Sequence, residues 1–137
     1  MAGGPRRMAM VRSSIRRSPG ANSFPHLEMP ITLNQVRLKN RIVVPAHTTN
    51  FGERHLPSAR HAEYHRQRAR GGAGAIIFEL TRVSDNALGR PQGVAGYLPG
   101  SIEGFRRVAD AVHAEGVPSI GQVVHGGRWI KGEFEGI

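Results

Sequence analysis

Gly74-Ala-Ile-Ile-Phe-Glu-Leu-Thr81 is one of three apolar runs in this chain that end in side chains suited to chemistry. The others are Arg41-Ile-Val-Val-Pro-Ala-His-Thr-Thr49 and Ile120-Gly-Gln-Val-Val-His-Gly-Gly-Arg128. Two segments with helix start and stop signals separate the runs, so the pattern predicts strand, helix, strand, helix, strand. This order is typical of a parallel sheet with crossover helices. Ligands bind such sheets at the carboxyl ends of the strands, where these polar residues fall.

The length of the chain limits what this sheet can be. The chain has 137 residues, 39% of them hydrophobic, which suits one domain with a core. Three parallel strands with two crossovers fall short of an eight-fold barrel, which takes roughly 250 residues. A fragment of a larger α/β protein is therefore one interpretation.

The net charge of +9 is unevenly distributed along the chain. Residues 1–22 carry five arginines and no acidic residue. We predict that residues 1–23 form a disordered basic arm, or an unselected extension from an upstream start codon, and that residues 24–137 form the domain. No apolar stretch is long enough for a secretory core or a membrane span, so we expect a cytoplasmic protein without a membrane partner. Nucleic-acid binding through the arm lacks an aromatic platform, and we expect no nucleic-acid partner.

Several kinds of site are excluded or disfavoured by the residues present. The chain contains no cysteine, which excludes disulfides, thiolate metal sites and cysteinyl nucleophiles. His61 and His65 have the helical spacing of a zinc pair, but no third ligand is evident, and we predict no metal site. The glycine cluster at 71–74 closes a helix and leads into a strand, the reverse of a dinucleotide fingerprint. His125-Gly-Gly has no accompanying Gly-x-Ser-x-Gly elbow, which disfavours acyl transfer.

The strands have turn and breaker signals around them. Alternation predicts a hairpin over Ile31 to Leu38 that turns at Asn34-Gln35. The first sheet strand runs from Arg41 and ends at Pro45, because proline donates no ladder hydrogen bond. Its apolar sequence predicts a strand covered on both faces.

The helices have clear boundaries. The first begins with Ser58 as its cap and ends at Gly71-Gly72, and we expect Tyr64 to carry most of its packing. The second is capped by Ser101 and stopped by Gly116. Its predicted buried stripe consists of Ile102, Phe105, Ala109 and Val112. A long glycine-rich loop, Val83 to Pro99, is expected to overhang the carboxyl ends of the strands.

Four segments together make the sequence recognisable. They are Leu38-Lys-Asn-Arg-Ile-Val-Val-Pro-Ala-His-Thr-Thr-Asn50, Arg68-Ala-Arg-Gly-Gly-Ala-Gly-Ala-Ile-Ile-Phe-Glu79, Asp110-Ala-Val-His-Ala-Glu-Gly116 and Gly121-Gln-Val-Val-His-Gly-Gly-Arg128. In this order the chain resembles the amino-terminal part of the old yellow enzyme family, FMN-dependent barrel oxidoreductases. Within the family it looks most like the branch of 2,4-dienoyl-CoA reductase, trimethylamine dehydrogenase and N-methyl amine demethylases.

The resemblance implies the amino-terminal portion of a (β/α)8 TIM barrel, plugged by the hairpin, with FMN across the carboxyl ends of the strands. It also implies a set of cofactor-binding residues, namely Pro45, Ala46, His47, Thr48, Glu79, Leu80, Gln122 and Arg128. Some relatives have a cysteine at the position of Thr48, in some cases bonded covalently to the flavin. Because threonine cannot form that bond, the resemblance implies that FMN is held here without covalent attachment. The amide of Gln122 offers a donor and an acceptor, which match the pyrimidine edge of the flavin.

Each of these residues also has a structural interpretation. Pro45 fits a strand terminator, and Thr48 fits a turn cap. Gln122 fits a residue that satisfies a neighbouring strand end, and Arg128 fits a hydrogen-bond network with His125. Glu79 is harder to dismiss, because a carboxylate after so apolar a run must find a partner or lie at an open site.

The function that the resemblance implies is hydride transfer through FMN, from NAD(P)H or an amine to an acceptor, on a small-molecule substrate. The catalytic residues are unknown, because in relatives later strands supply them. We therefore predict that residues 1–137 are a truncated piece that is not active alone. The alternative is a non-catalytic half-barrel module that associates with copies of itself through an open sheet edge.

Overall fold

The computed structural model describes residues 24–87 and 89–129. The predicted basic arm, residues 1–23, lies outside the described residues. The described part begins with a short helix, α1 (Pro25–Glu28), that the sequence pattern did not predict. The predicted hairpin follows as β1 (Ile31–Leu33) and β2 (Val36–Leu38), which pair antiparallel around Asn34 at φ 53°. Asparagine tolerates this left-handed conformation, so its position fixes the turn.

The parallel sheet is centred on one long strand. Its strands are β3 (Val43–Val44), β4 (Ala75–Arg82), β5 (Val94–Ala95) and β6 (Ser119–Val124). All three neighbours run parallel to β4, with β6 along most of its length. The predicted order of three adjacent, co-directional strands is confirmed. The first predicted strand is only two residues long, and β5 is an additional short strand inside the predicted loop.

The first crossover helix has the predicted boundaries. It is α2 (Ala59–Arg70), with Ser58 as its N-cap and Gly71 as its C-cap. Its packing differs from the prediction, because His61 and His65 are 0% and 1% exposed while Tyr64 is only half-buried. Tyr64 instead carries the Arg68 guanidinium on its ring, 3.2 Å from the centroid. The two imidazoles fill the place that we expected the phenol ring to fill.

The second crossover helix is rotated relative to the prediction. It is α3 (Ser101–His113), and its N-cap is Gly100 at φ 87°, whereas the Ser101 hydroxyl donates to the Gly96 carbonyl. Its buried residues are Ser101, Gly104, Val108 and Val112, and Ile102 is 73% exposed. The face is set by Gly104, where a Cβ would come within 2.8 Å of Pro57. Close contact with the segment before α2 therefore decides which side of α3 faces inward.

The core lies between β4 and the two long helices. One cluster contains Ala69, Ala73, Ile76, Val112 and Val117, and the second contains Ala62, Phe78, Val94 and Val108.

Strands β3 and β6 of the parallel sheet are more exposed than their sequences predict. Val43 of β3 is 39% exposed, and the prediction of a first strand covered on both faces is wrong. Ile120 and Val123 of β6 are 45% and 72% exposed. Each of these strands has a strand neighbour on one side only within the described residues, so apolar composition does not ensure burial. No helix in the described ranges combines the length and apolarity that a membrane span requires.

Candidate functional site

The carboxyl ends of β3 and β4 meet at one edge of the sheet. Val44 lies beside Ile76, and Thr49, farther along the chain, contacts Glu79 in the second half of β4. Thr48, Leu80, Gly89 and Arg90 line a cavity of about 250 Å³ there. We call this space the strand-end cavity. Two of the predicted cofactor-binding residues, Thr48 and Leu80, therefore line the same cavity, at the carboxyl ends of the strands as predicted.

Gln122 lies on the neighbouring strand, directly beside Leu80 in the ladder. It is exposed and lines a separate cavity of about 430 Å³ together with Tyr97 and Phe105. The structure therefore brings Gln122 next to Leu80 through the backbone, but not into the strand-end cavity. Its role toward a flavin stays a prediction.

Glu79 occupies a break in the regular pairing of β4 with β6. Phe78 pairs with Gly121 and Leu80 pairs with Gln122, so Glu79 is the extra residue between them. Such a bulge interrupts the alternation of side chains along a strand. Phe78 contacts the rings of α2 and α3, and the Glu79 carboxylate also turns toward α2. The bulge thus places two successive side chains on the helix-covered face.

The carboxylate of Glu79 is 0% exposed and lies close to three polar groups, two of Thr49 and one of His61. Its Oε2 accepts from the backbone N–H of Thr49 at 2.6 Å and from the Thr49 hydroxyl. Its Oε1 lies 3.3 Å from Nε2 of His61, close enough for an ion pair but not aligned as a hydrogen bond. The carboxyl group that had to find a partner or lie at an open site has found partners inside the protein.

The tautomer of His61 follows from its other ring nitrogen. Nδ1 accepts from the backbone N–H of Ser58 at 3.0 Å, so the ring proton resides on Nε2, which faces Glu79. The Ser58 hydroxyl in turn donates to the carbonyl of Phe51 at 2.7 Å. These contacts join Thr49, Glu79, His61 and Ser58 into one chain of polar groups that ties the loop after β3 to β4 and α2.

Burial and polar contacts act in opposite directions on Glu79. Burial, the largest single cause, raises the pKa of the Glu79 carboxyl. His61 and the two Thr49 donors together lower this pKa by more than burial raises it. The net pKa lies below the ordinary value, so the group is ionised at neutral pH. An ionised Glu79 holds Thr49 firmly and thereby fixes the backbone of its neighbour Thr48 at the strand-end cavity.

The other predicted contact residues lie around this network. Pro45 is exposed and Ala46 is half-buried. His47 contacts the Tyr64 hydroxyl on α2, and its ring meets that of Tyr64 edge-on with centroids 5.6 Å apart. Arg128 lies exposed in a 3-10 helix, Gly127–Trp129. His125 accepts from the backbone N–H of Gly127 at 3.0 Å, a local turn contact. Whether these residues contact a cofactor stays a prediction.

His65 is buried but has no polar partner for either ring nitrogen within the described chain. Its ring packs against Phe78 and Tyr64 at centroid distances of 5.3 and 5.1 Å. Burial lowers the pKa of His65 to about 4, with a smaller contribution from His61. His65 is therefore neutral at physiological pH and acts as an aromatic core residue. Neither histidine belongs to a cluster of three or more metal-ligand side chains in the part of the chain that is described.

Sequence reasoning missed several polar residues of this region. Thr49, Arg82 and Arg90 were not among the predicted site residues. A usable signal existed for Arg82, because it lies two positions after Leu80 and so shares its face of the strand. Thr49 gave no such signal, since its contact spans 30 residues of sequence.

The residues of the strand-end cavity fit one side of a flavin. Thr48 supplies a hydroxyl that can donate to a ring heteroatom, and Leu80 supplies an apolar surface. The Gln122 amide makes no hydrogen bond within the described residues and remains available on the adjacent strand. The described ranges thus provide groups suited to the ring of FMN.

Comparison with known proteins agrees with this geometry. The NADH:flavin oxidoreductase / NADH oxidase family matches residues 26–135. The 12-oxophytodienoate reductase 1 of Oryza sativa subsp. japonica is 32% identical over 106 residues, which cover 77% of this chain and 28% of that protein. A probable N-methylproline demethylase of Rhizobium meliloti (strain 1021) is 33% identical over 112 residues, or 79% of this chain and 16% of that protein.

The solved structures show the same relationship. The old yellow enzyme homologue from Zymomonas mobilis superposes with a TM-score of 0.71 at 34% identity, covering 77% of this chain and 30% of that one. The predicted family resemblance and the predicted fold class, the amino-terminal portion of a (β/α)8 barrel, are confirmed. The chain spans about a third or less of the length of the relatives that it matches.

Proposed function

The chain belongs to the NADH:flavin oxidoreductase / NADH oxidase family, and from that premise we propose that it forms the first part of the flavin site of an FMN-dependent oxidoreductase. Members of this family bind FMN and use NAD(P)H. The observation that supports the proposal most is the strand-end cavity, because Thr48 and Leu80 meet there at the carboxyl ends of adjacent parallel strands.

When bound, FMN would accept a hydride from NAD(P)H or an amine and pass electrons to an acceptor. The residues of this chain would bind the flavin ring and orient it. The Thr48 hydroxyl would donate to an edge of the ring, and Leu80 would provide an apolar contact. The Gln122 amide would supply one donor and one acceptor from the next strand. Glu79 acts behind them as a positioning residue, because it fixes Thr49 and so the backbone of Thr48.

Two finer parts of the proposal concern branch and completeness. We place the chain in the branch of dienoyl-CoA reductases and amine demethylases, which the similarity to an N-methylproline demethylase supports. We also propose that the 137-residue chain alone binds FMN weakly and does not turn over, since it spans a minor part of the length of its relatives.

An NMR titration of the isotope-labelled chain with FMN tests this function. We expect fast-exchange shifts at the amides of residues 46–48, 80 and 121–123, with adenosine monophosphate as a control that lacks the flavin ring. Thr48→Val should raise the Kd for FMN in this titration by a few-fold, because one neutral hydrogen bond contributes about 1 kcal/mol. No shifts, or shifts confined to other regions, would contradict the flavin site. A yellow protein that keeps flavin through gel filtration would contradict the weak binding.

A second candidate function is favoured by the exposure of β6. Val123 is 72% exposed, and β6 pairs with β4 on one side only within the described residues. An open edge with apolar side chains is a template for pairing with another chain. The alternative is therefore a non-catalytic module that associates with a second copy of itself through β6.

A further inference from the structure

Arg82 is the last residue of β4 and is only 4% exposed. Arg82 lines the cavity of about 430 Å³ that Gln122 also lines, and it is not among the residues that line the strand-end cavity. Gly89, which lines the strand-end cavity, lies directly against the Arg82 side chain. A Cβ at Gly89 would come within 2.5 Å of the Arg82 Cδ and 2.9 Å of its Nε. The Arg82 side chain therefore lies between the cavity that it shares with Gln122 and Gly89 of the strand-end cavity.

The guanidinium has far fewer partners than donors. Its Nη2 lies 3.2 Å from Nδ1 of His55, and Nε has no partner. The same Nδ1 lies 3.1 Å from the carbonyl oxygen of Gly93. One ring nitrogen cannot accept from Arg82 and donate to Gly93 at once, so at most one of these two contacts is a hydrogen bond. No carboxylate of residues 24–87 or 89–129 forms an ion pair with Arg82.

An arrangement of this kind is unfavourable without a further partner. An arginine stays protonated in proteins, so burial cannot neutralise it as it neutralises a histidine. A buried and unpaired charge costs stability, and native proteins keep such charges paired. Another arginine, Arg90, lines the adjacent strand-end cavity. No acidic residue is among the described residues that line either cavity.

We propose that Arg82 anchors a subsite for an oxyanion, a carboxylate or phosphate group on a small molecule that enters the cavity lined by Arg82 and Gln122. The planar fork of a guanidinium matches two oxygens presented side by side, which is the shape that both groups share. Arg90 adds positive charge at the adjacent strand-end cavity. The subsite goes beyond the flavin proposal and does not depend on it, because the anion is recognised by Arg82 without a ring.

Thermal unfolding of the flavin-free 137-residue chain tests the subsite. Inorganic phosphate and benzoate are added separately, with chloride held at matched ionic strength. We expect at least one of them to raise the unfolding temperature in a saturable manner. Arg82→Gln should weaken the apparent affinity by about tenfold or more, because a charge-assisted contact is lost. The same variant should unfold at an equal or higher temperature without anion, because it removes an unpaired buried charge.

Two further variants make the result specific. Arg107→Gln alters an exposed arginine of α3 and should leave the response to anions unchanged. Arg82→Lys keeps the charge but not the fork, so it should retain part of the response if Arg82→Gln fails to fold. Response to phosphate alone identifies a phosphate ligand, and response to benzoate alone identifies a substrate carboxylate.

Three outcomes would overturn the proposal. The first is no response to either anion, and the second is an equal response in Arg82→Gln. The third outcome concerns the double variant Glu133→Gln with Glu135→Gln, made both in the original chain and in Arg82→Gln. If the double variant lowers the unfolding temperature only when Arg82 is present, an acidic residue of this chain is the partner of Arg82. Since no flavin is present, none of these results bears on whether the chain binds FMN.

Discussion

β4 and β6 are neighbouring parallel strands of similar apolar character, yet the structure treats them in opposite ways. Six of the eight residues of β4 are buried, among them the charged Glu79 and Arg82, whereas none of the residues of β6 is. β4 lies between strands on both sides and beneath α2 and α3. β6 has one strand neighbour among the described residues. The difference teaches that burial is conferred by neighbours, and that a central strand can bury charge where an edge strand exposes valine.

Matched truncations on the two strands give the largest test of this comparison. Ile76 of β4 is 0% exposed, and Ile120 of β6 is 45% exposed. Ile76→Ala should lower the free energy of unfolding by about 2–5 kcal/mol, because it leaves a cavity between β4 and Val112. Ile120→Ala should cost less than about 1 kcal/mol, since it removes partly solvated surface. Urea unfolding measures both, and equal losses would break the comparison.

The histidine that covers β4 predicts a smaller, pH-dependent effect. The pKa of His65 is lowered from 6.5 to about 4 because burial disfavours its charged form. Between these values the unfolded chain binds more protons than the folded one, so stability is full above pH 6.5 and falls with pH toward 4. From pH 7.5 to pH 5 we expect a loss of about 2 kcal/mol in urea unfolding.

His65→Leu should abolish the decline over that interval. His113→Leu, at an exposed position near the end of α3, is the matched control and should retain it. A decline that survives in His65→Leu would mean that the group responsible lies elsewhere. Glu79 acts at lower pH: its pKa is depressed, so its contribution is present above 4.5 and is lost as the pH falls through its folded value.

The smallest effect on stability is expected at the open edge. Val123→Lys should change the free energy of unfolding by less than about 0.5 kcal/mol, because the side chain is 72% exposed. It should nevertheless reduce self-association in sedimentation velocity, since an edge lysine opposes strand pairing. Thr32→Lys on the hairpin adds the same charge away from β6 and should leave association unchanged. Association that persists in Val123→Lys would remove the support for the alternative function.

The sequence predicted most of the architecture. Periodicity and breakers located the hairpin, the three parallel strands and the boundaries of α2, because these depend on local signals such as Ser58 and Gly71. The face of α3 could not be predicted, since it depends on a contact between Gly104 and Pro57 from another segment. The exposure of β3 and β6 depends on neighbours that a single strand does not encode.

The candidate site was predicted only in outline. The position of Thr48 and Leu80 at one edge followed from the direction of the strands. The network of Glu79, Thr49 and His61 did not, because the bulge breaks the alternation from which side-chain direction is inferred. Arg82 was missed although its place two positions after Leu80 was a usable signal, and its lack of an ion-pair partner among the described residues is visible only in the structure.

The extra residue of β4 also affects how related sequences should be aligned. Up to Phe78, side-chain direction follows one odd-even phase, and from Leu80 onward it follows the other. A relative lacking one residue here would keep both halves of the strand in place, with a single gap absorbing the change. An alignment that forces the two sequences through without that gap would exchange inward for outward positions in every residue beyond it. Comparisons of pocket-lining residues across relatives therefore depend on placing one gap at Glu79.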